Sequence, residues 1–149
     1  MKFKKTNSDN KDFCKLIESL DVYLTTVNGD KDDFFRQFNG LDTIKHVIVV
    51  YDNDEAIGCG AIKKYNAQTV EIKRMYVIPA YRRKEIAKKI LLSLENWARE
   101  LSYTTCILET SIRMESAKKL YRKNGYVEIA KYGPYSKEDD SICFEKIID

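Results

Sequence analysis

Apolar positions along the chain switch between two spacings, and the switches mark out the elements. His46 to Tyr51 and Glu55 to Tyr65 are apolar runs joined by Asp52-Asn53-Asp54, residues that favour tight reversal, which predicts a β-hairpin. A second reversal at Asn66 to Gln68 leads into Thr69 to Ile78 and completes a three-stranded antiparallel meander. The spacing then lengthens. Ile86, Ile90, Leu94, Trp97 and Leu101 form a stripe at helical intervals, with Lys88, Lys89, Asn96 and Arg99 off it, predicting a helix from Arg83 to Leu101. Thr105 to Thr110 is a short buried strand, so strand, helix and strand in this order predict a right-handed parallel crossover.

The flanks follow the same logic. Residues 2 to 5 predict a first strand, and Ser8 or Asp9 offers the N-cap of a helix through Phe13, Leu16, Ile17 and Leu20. Asp30 to Phe38 predicts a second helix capped by Asp30 and burying Phe34, Phe35 and Phe38, while Asp21 to Gly29 fits no one element. Glu115 to Asn124 predicts a helix stopped by Gly125, where a left-handed residue is cheapest, before two last strands at Tyr126 to Ala130 and Ile142 to Ile147. There is no internal repeat or low-complexity linker, and 149 residues fit one domain over residues 1–149.

Composition narrows the function classes. A 33% charged, 44% hydrophobic chain is an ordinary globular one, and a formal charge of +3 is too small and dispersed to imply nucleic-acid binding. No apolar run reaches the length of a membrane span, and the N-terminal stretch lacks the apolar core of a secretory signal, so a cytoplasmic location is expected. Cys14, Cys59, Cys106 and Cys143 have no metal-site spacing and His46 is the single histidine, so no metal is expected; three of these cysteines lie in apolar strand-like runs and read as core residues.

The chemistry concentrates in Glu71 to Ala87. Regular alternation places Glu71, Lys73 and Met75 on one strand face and Ile72, Arg74 and Tyr76 on the other; Pro79 ends the ladder because it has no amide donor. Arg82, Arg83, Lys84, Lys88 and Lys89 then crowd the first turns of a helix, whose free amides and dipole attract anions. A phosphorylated ligand fits this arrangement, and a solvated basic helix face is the competing reading.

This segment resembles the acyl-CoA-binding motif of the GNAT N-acetyltransferase superfamily, Gln/Arg-x-x-Gly-x-Gly/Ala, which here reads Arg82-Arg83-Lys84-Glu85-Ile86-Ala87 with Glu85 at the usual glycine. The preceding strand through Met75-Tyr76-Val77 and the later Ala117-x-x-Leu120-Tyr121 to Gly125-Tyr126 extend the likeness over almost the whole chain. The resemblance implies an α/β (α+β) GNAT fold: a mixed sheet of about six to seven strands, about four helices, and parallel strands splayed at the cofactor site. It implies acetyl-CoA as co-substrate, a primary amine of a small molecule or protein as acceptor, and direct attack in a ternary complex.

Residue by residue, the resemblance implies that Met75, Tyr76 and Val77 lie on a bulged strand facing the pantetheine arm and thioester. It implies that Arg82, Arg83, Lys84, Glu85, Ile86, Ala87 and Lys88 hold the phosphates. Glu71 matches the general base of some members, or else is an ion-pair partner of Lys73 or Arg74. Tyr121 matches the general acid toward the CoA sulfur, or else an aromatic packed beneath the cofactor. Met114 stands where relatives often carry an amide, and Glu85 places a carboxylate near a phosphate, a repulsion of about 1 to 4 kcal/mol at 4 Å. Those two departures leave a non-catalytic acyl-CoA sensor as the alternative, and a basic interaction module without cofactor as a third reading. The acceptor is expected between the first two helices and the loop Lys131 to Asp140, and many relatives pair as homodimers.

Overall fold

In a computed structural model that describes residues 1–36 and 44–149, the chain runs β1 (Lys2–Thr6), α1 (Lys11–Asn28), α2 (Asp32–Arg36), β2 (His46–Asp52), β3 (Glu55–Lys64), β4 (Thr69–Val77), α3 (Ile86–Glu100), β5 (Thr105–Ser111), α4 (Glu115–Lys123), β6 (Val127–Ile129) and β7 (Ser141–Ile147). The strands make one sheet in the order β1-β2-β3-β4-β5-β7-β6. Every neighbouring pair is antiparallel except β4 and β5, which are parallel across the α3 crossover. The expected mixed sheet and its crossover are therefore present.

Alternation in the central strands sorts side chains onto two covered faces. Val47 and Val49 of β2 meet Phe13, Leu16, Ile17 and Leu20 of α1, whereas Ile48 and Val50 join the core beneath α3. On that second face Ile90 and Leu94 are fully buried, each contributing roughly 1.5–3 kcal/mol. α3 lies close on β3 because Gly60 is bare: a Cβ there would sit 2.7 Å from Ile90 and from the Met75 sulfur.

Several boundaries differ from expectation for local reasons. α1 is capped by Asn10, whose side chain accepts the Phe13 amide at 2.9 Å, instead of Ser8 or Asp9, and the helix continues through the ambiguous stretch to Asn28. The second helix starts at Asp32 instead of Asp30, because residues Gly29–Lys31 form a 3₁₀ turn before it; Phe38 lies outside the described residues. α3 begins at Ile86 instead of Arg83, since Arg83 and Glu85 both adopt positive φ, which an α-helix does not accommodate. Its buried stripe includes Leu91, Glu95 and Ala98, while Leu101 is exposed. Glu95 is tolerated inside because Tyr126 donates to it at 2.9 Å and Lys146 pairs with it at 2.8 Å, tying α3 to β7. Gly125 ends α4 at φ 91°, as expected. Cys59, Cys106 and Cys143 are buried and Cys14 is exposed.

Candidate active site

β4 and β5 pair over only three rungs, Thr69 with Thr105, Val70 with Cys106 and Glu71 with Ile107. Beyond them β4 runs on to Val77 and β5 to Ser111 without pairing to each other. β7 holds β5 through Ser111, and β3 holds β4 through Val77, so each strand is anchored to its other neighbour while a gap opens between them. A cavity of about 860 Å³ occupies this gap and reaches α1, α3 and α4. It exposes an unladdered edge of β4 to whatever enters.

A bulge reshapes that edge. Cys59 pairs with Tyr76 and Ala61 with Lys73, so three steps along β4 oppose two along β3. Arg74 takes up the extra residue at φ 60°, and the Cys59 thiol donates to its carbonyl at 3.3 Å. The bulge overturns the regular alternation expected for this strand. Val70, Ile72, Met75 and Val77 pack with the α3 core, whereas Tyr76 packs on the α1 side and Arg74 reaches Asp21 of α1 at 3.1 Å. Lys73 pairs with Glu71 at 3.7 Å, so Glu71, Lys73 and Arg74 share the α1 face.

The turn into α3 forms the other end of the cavity. Pro79–Tyr81 make a 3₁₀ turn, after which Arg83 and Glu85 kink the chain with φ of 65° and 62°. The first helical amides, at Ile86, Ala87 and Lys88, have no acceptor within α3 and lie at the cavity wall, where helix polarity favours an anion. Arg82 donates from Nε to the Val77 carbonyl at 2.9 Å and lies 5.6 and 5.7 Å from the Tyr23 and Tyr76 ring centroids. Of the basic run, Arg82, Arg83 and Lys88 line the cavity; Lys84 instead stands over the Tyr81 ring at 5.0 Å. Met75, Tyr76 and Val77 also line it.

Glu85 explains why a glycine suits this place. At φ 62° a residue with a Cβ costs roughly 1–2 kcal/mol, and among the described residues the exposed Glu85 carboxylate has no ion-pair partner to draw it from an incoming phosphate. Glu85→Gly is expected to tighten acetyl-CoA binding by about tenfold or more in calorimetry, with fold stability changed by no more than about 1 kcal/mol. An unchanged affinity would show that the carboxylate does not oppose the phosphates.

Two carboxylates face the gap from its two sides. Glu71 on β4 accepts a hydrogen bond from the Tyr132 hydroxyl at 2.7 Å, beside its ion pair with Lys73. Glu109 on β5 was not singled out by the sequence reading. Glu71 is the parallel partner of Ile107, so Glu109, two residues on, falls on the same face. Burial raises the Glu109 carboxyl to about 7; the Ser141 hydroxyl, donating at 2.7 Å, and Lys73 oppose the rise, while Glu71 and Glu138 add to it. A carboxylate inside the run Thr105–Ser111 was the only sequence signal, and the register that sets it beside Glu71 is not local information.

Tyr121 comes from α4 and lines the same cavity, buried against Tyr126 and Phe144 with ring centroids 5.7 and 6.1 Å away. Burial, followed by the nearby Glu109, holds its phenol above the ordinary range, so it keeps its proton at neutral pH. Met114 lines the cavity too, and its sulfur receives the Thr110 hydroxyl at 3.7 Å. Two acids of the loop Lys131 to Asp140 are held in ion pairs: Glu138 pairs with Lys31 in the turn after α1, and Asp140 with Arg113, between β5 and α4, at 3.2 Å.

The chain matches the model of the Acetyltransferase (GNAT) family over residues 14–126. It is 30% identical over 134 residues to the IAA acetyltransferase of Azospirillum brasilense, spanning 89% of this chain and 88% of that one. A Klebsiella pneumoniae crystal structure assigned to the acyl-CoA N-acyltransferases superposes with a TM-score of 0.82 at 28% identity, over 99% of this chain and 97% of its own. The PaiA N-acetyltransferase of Thermoplasma acidophilum, solved in complex with coenzyme A, shares the fold at 20% identity and a TM-score of 0.71, over 98% of each chain.

Proposed function

That this chain belongs to the GNAT acetyltransferase family is the premise from which we propose its function: transfer of the acetyl group of acetyl-CoA to a primary amine. The observation that carries the reading is the gap between β4 and β5, bounded at one end by the free amides of α3 and in its middle by two carboxylates and a protonated phenol. Its volume of about 860 Å³ accommodates a pantetheine arm and a small acceptor together. The coenzyme A bound to the similarly folded PaiA enzyme supports the same occupant here.

In the proposed reaction the phosphates rest on the amides of Ile86 to Lys88 and on Arg82 and Arg83, and the thioester lies along the unladdered edge of β4 at Met75 to Val77. The acceptor arrives as an ammonium. Glu71 meets it at the β4 side of the gap, and Glu109, with a proton affinity matched to neutral pH, takes up the proton released. The free amine attacks the thioester carbonyl, a carbon–nitrogen bond forms, and the tetrahedral intermediate expels the thiolate as the carbon–sulfur bond breaks. Tyr121 protonates that sulfur, and the second nitrogen proton restores the phenol by way of solvent.

Among the described residues no helix is long and apolar enough to cross a membrane. We place the enzyme in the cytoplasm, where its thioester substrate is made and spent. The test is release of free thiol from acetyl-CoA in the presence of an amine panel, with an amine-free control. Amine-dependent thiol release is expected. A rate no greater than the control for small amines and lysine peptides alike would sink the reading.

A further inference from the structure

Arg74 is a cation placed where the fold gains little from it. A regular strand would turn this side chain toward the apolar core under α3; the bulge, at the expense of a left-handed backbone, puts it on the face that carries Glu71. Its side chain is 7% exposed and lines the cavity. Asp21 takes both of its bonds from Nη2, at 3.1 and 3.3 Å, which fixes the plane of the guanidinium. Nη1 is buried and, among the described residues, has no acceptor. Asp21 is 43% exposed, so water weakens its neutralisation of the charge. A buried guanidinium donor without an acceptor costs the fold and is an unusual thing to keep, unless a ligand supplies the missing oxygen.

We propose that Arg74 receives a carboxylate of the acceptor, so that the amine acetylated by this enzyme belongs to an amino acid or another amino-carboxylate. This rests on the acetyltransfer reading above and names its substrate class. The charge layout gives the acceptor a direction: Glu71 and Glu109 attract the ammonium and repel a carboxylate, and Arg74 does the reverse. The planar fork of arginine also matches two carboxylate oxygens better than a point charge would.

The experiment compares amino acids of increasing spacer length with amines that lack only the carboxylate, using wild type, Arg74→Gln and Arg74→Lys. The wild type is expected to favour the carboxylate-bearing member in kcat/KM by about ten- to a hundredfold. Arg74→Gln should bring that ratio near one, and Arg74→Lys should restore part of it. A wild type indifferent to the carboxylate, or a preference that survives Arg74→Gln, overturns the proposal.

A second arm needs no turnover: calorimetry of N-acetyl amino acids binding to the protein saturated with CoA. Weaker binding to Arg74→Gln supports the carboxylate site, even if no amine releases thiol and the acetyltransferase reading falls. Equal binding to wild type and Arg74→Gln overturns the site, even if acetyl transfer is confirmed. Should Arg74→Gln fail to fold, Arg74→Lys carries both arms, and a ratio unchanged from wild type is the overturning result.

Discussion

Glu109→Gln is expected to lower kcat/KM for the amine by about a hundred- to ten-thousandfold, the range that a positioned general base supplies. The wild-type rate should fall as pH drops through about 7, because protonated Glu109 cannot accept a proton from the ammonium; the variant should lose that limb of the profile. The same substitution separates catalysis from packing. Glu109 rises from 4.5 to about 7 on folding, so its contribution to stability is whole below about 4.5 and is lost as pH climbs to about 7. Above that, the buried carboxylate costs on the order of 3 kcal/mol, which an uncharged side chain of the same shape relieves. Melting at pH 8 should therefore show a variant no less stable than the wild type while its turnover collapses. A variant that is both slow and unstable, or one that keeps the acid limb, would remove Glu109 from the proton path.

Tyr121→Phe is expected to lower kcat by about a hundredfold with little change in the affinity for acetyl-CoA. Phenylalanine keeps the ring that packs against Tyr126 and Phe144, and it removes only the hydroxyl. The loss should shrink with acyl donors whose leaving thiol is more acidic, because such a thiol departs without needing a proton. If the loss is the same for every leaving group, Tyr121 is an aromatic wall of the cavity and does not deliver a proton. Stopped assays across donor thiols, with binding measured on the same variant, decide between them.

How much of this was legible beforehand varies with how local each feature is. Apolar spacing marked β2 to β5, α3 and α4 to within a few residues, because a strand or helix that must bury one face has to write that face into consecutive positions. The turn from Pro79 to Lys88 was legible for the same reason, its proline, basic residues and helix start being contiguous. The start of α3 was misplaced by three residues, since nothing in Arg83-Lys84-Glu85 announces a left-handed backbone in residues that ordinarily avoid it.

The face of β4 that carries Glu71 was less legible. Alternation put Arg74 opposite Glu71, and one inserted residue against β3 reversed that; a bulge exists only relative to a partner strand. Glu109 passed as one polar residue in an apolar run, for its neighbours Glu71, Ser141 and Tyr121 come from three other elements.

By itself, then, the sequence determined the elements, their order, and a basic helix start joined to a likeness that spans nearly the whole chain. The tertiary structure alone decided where β4 and β5 part, which face Arg74 takes, and that partial burial in the cavity wall, with Glu71 adding to it, raises the Glu109 carboxyl to about 7. The division is physical: burial patterns and turn chemistry act between residues near in sequence, whereas register, desolvation and charge coupling arise only when distant segments meet.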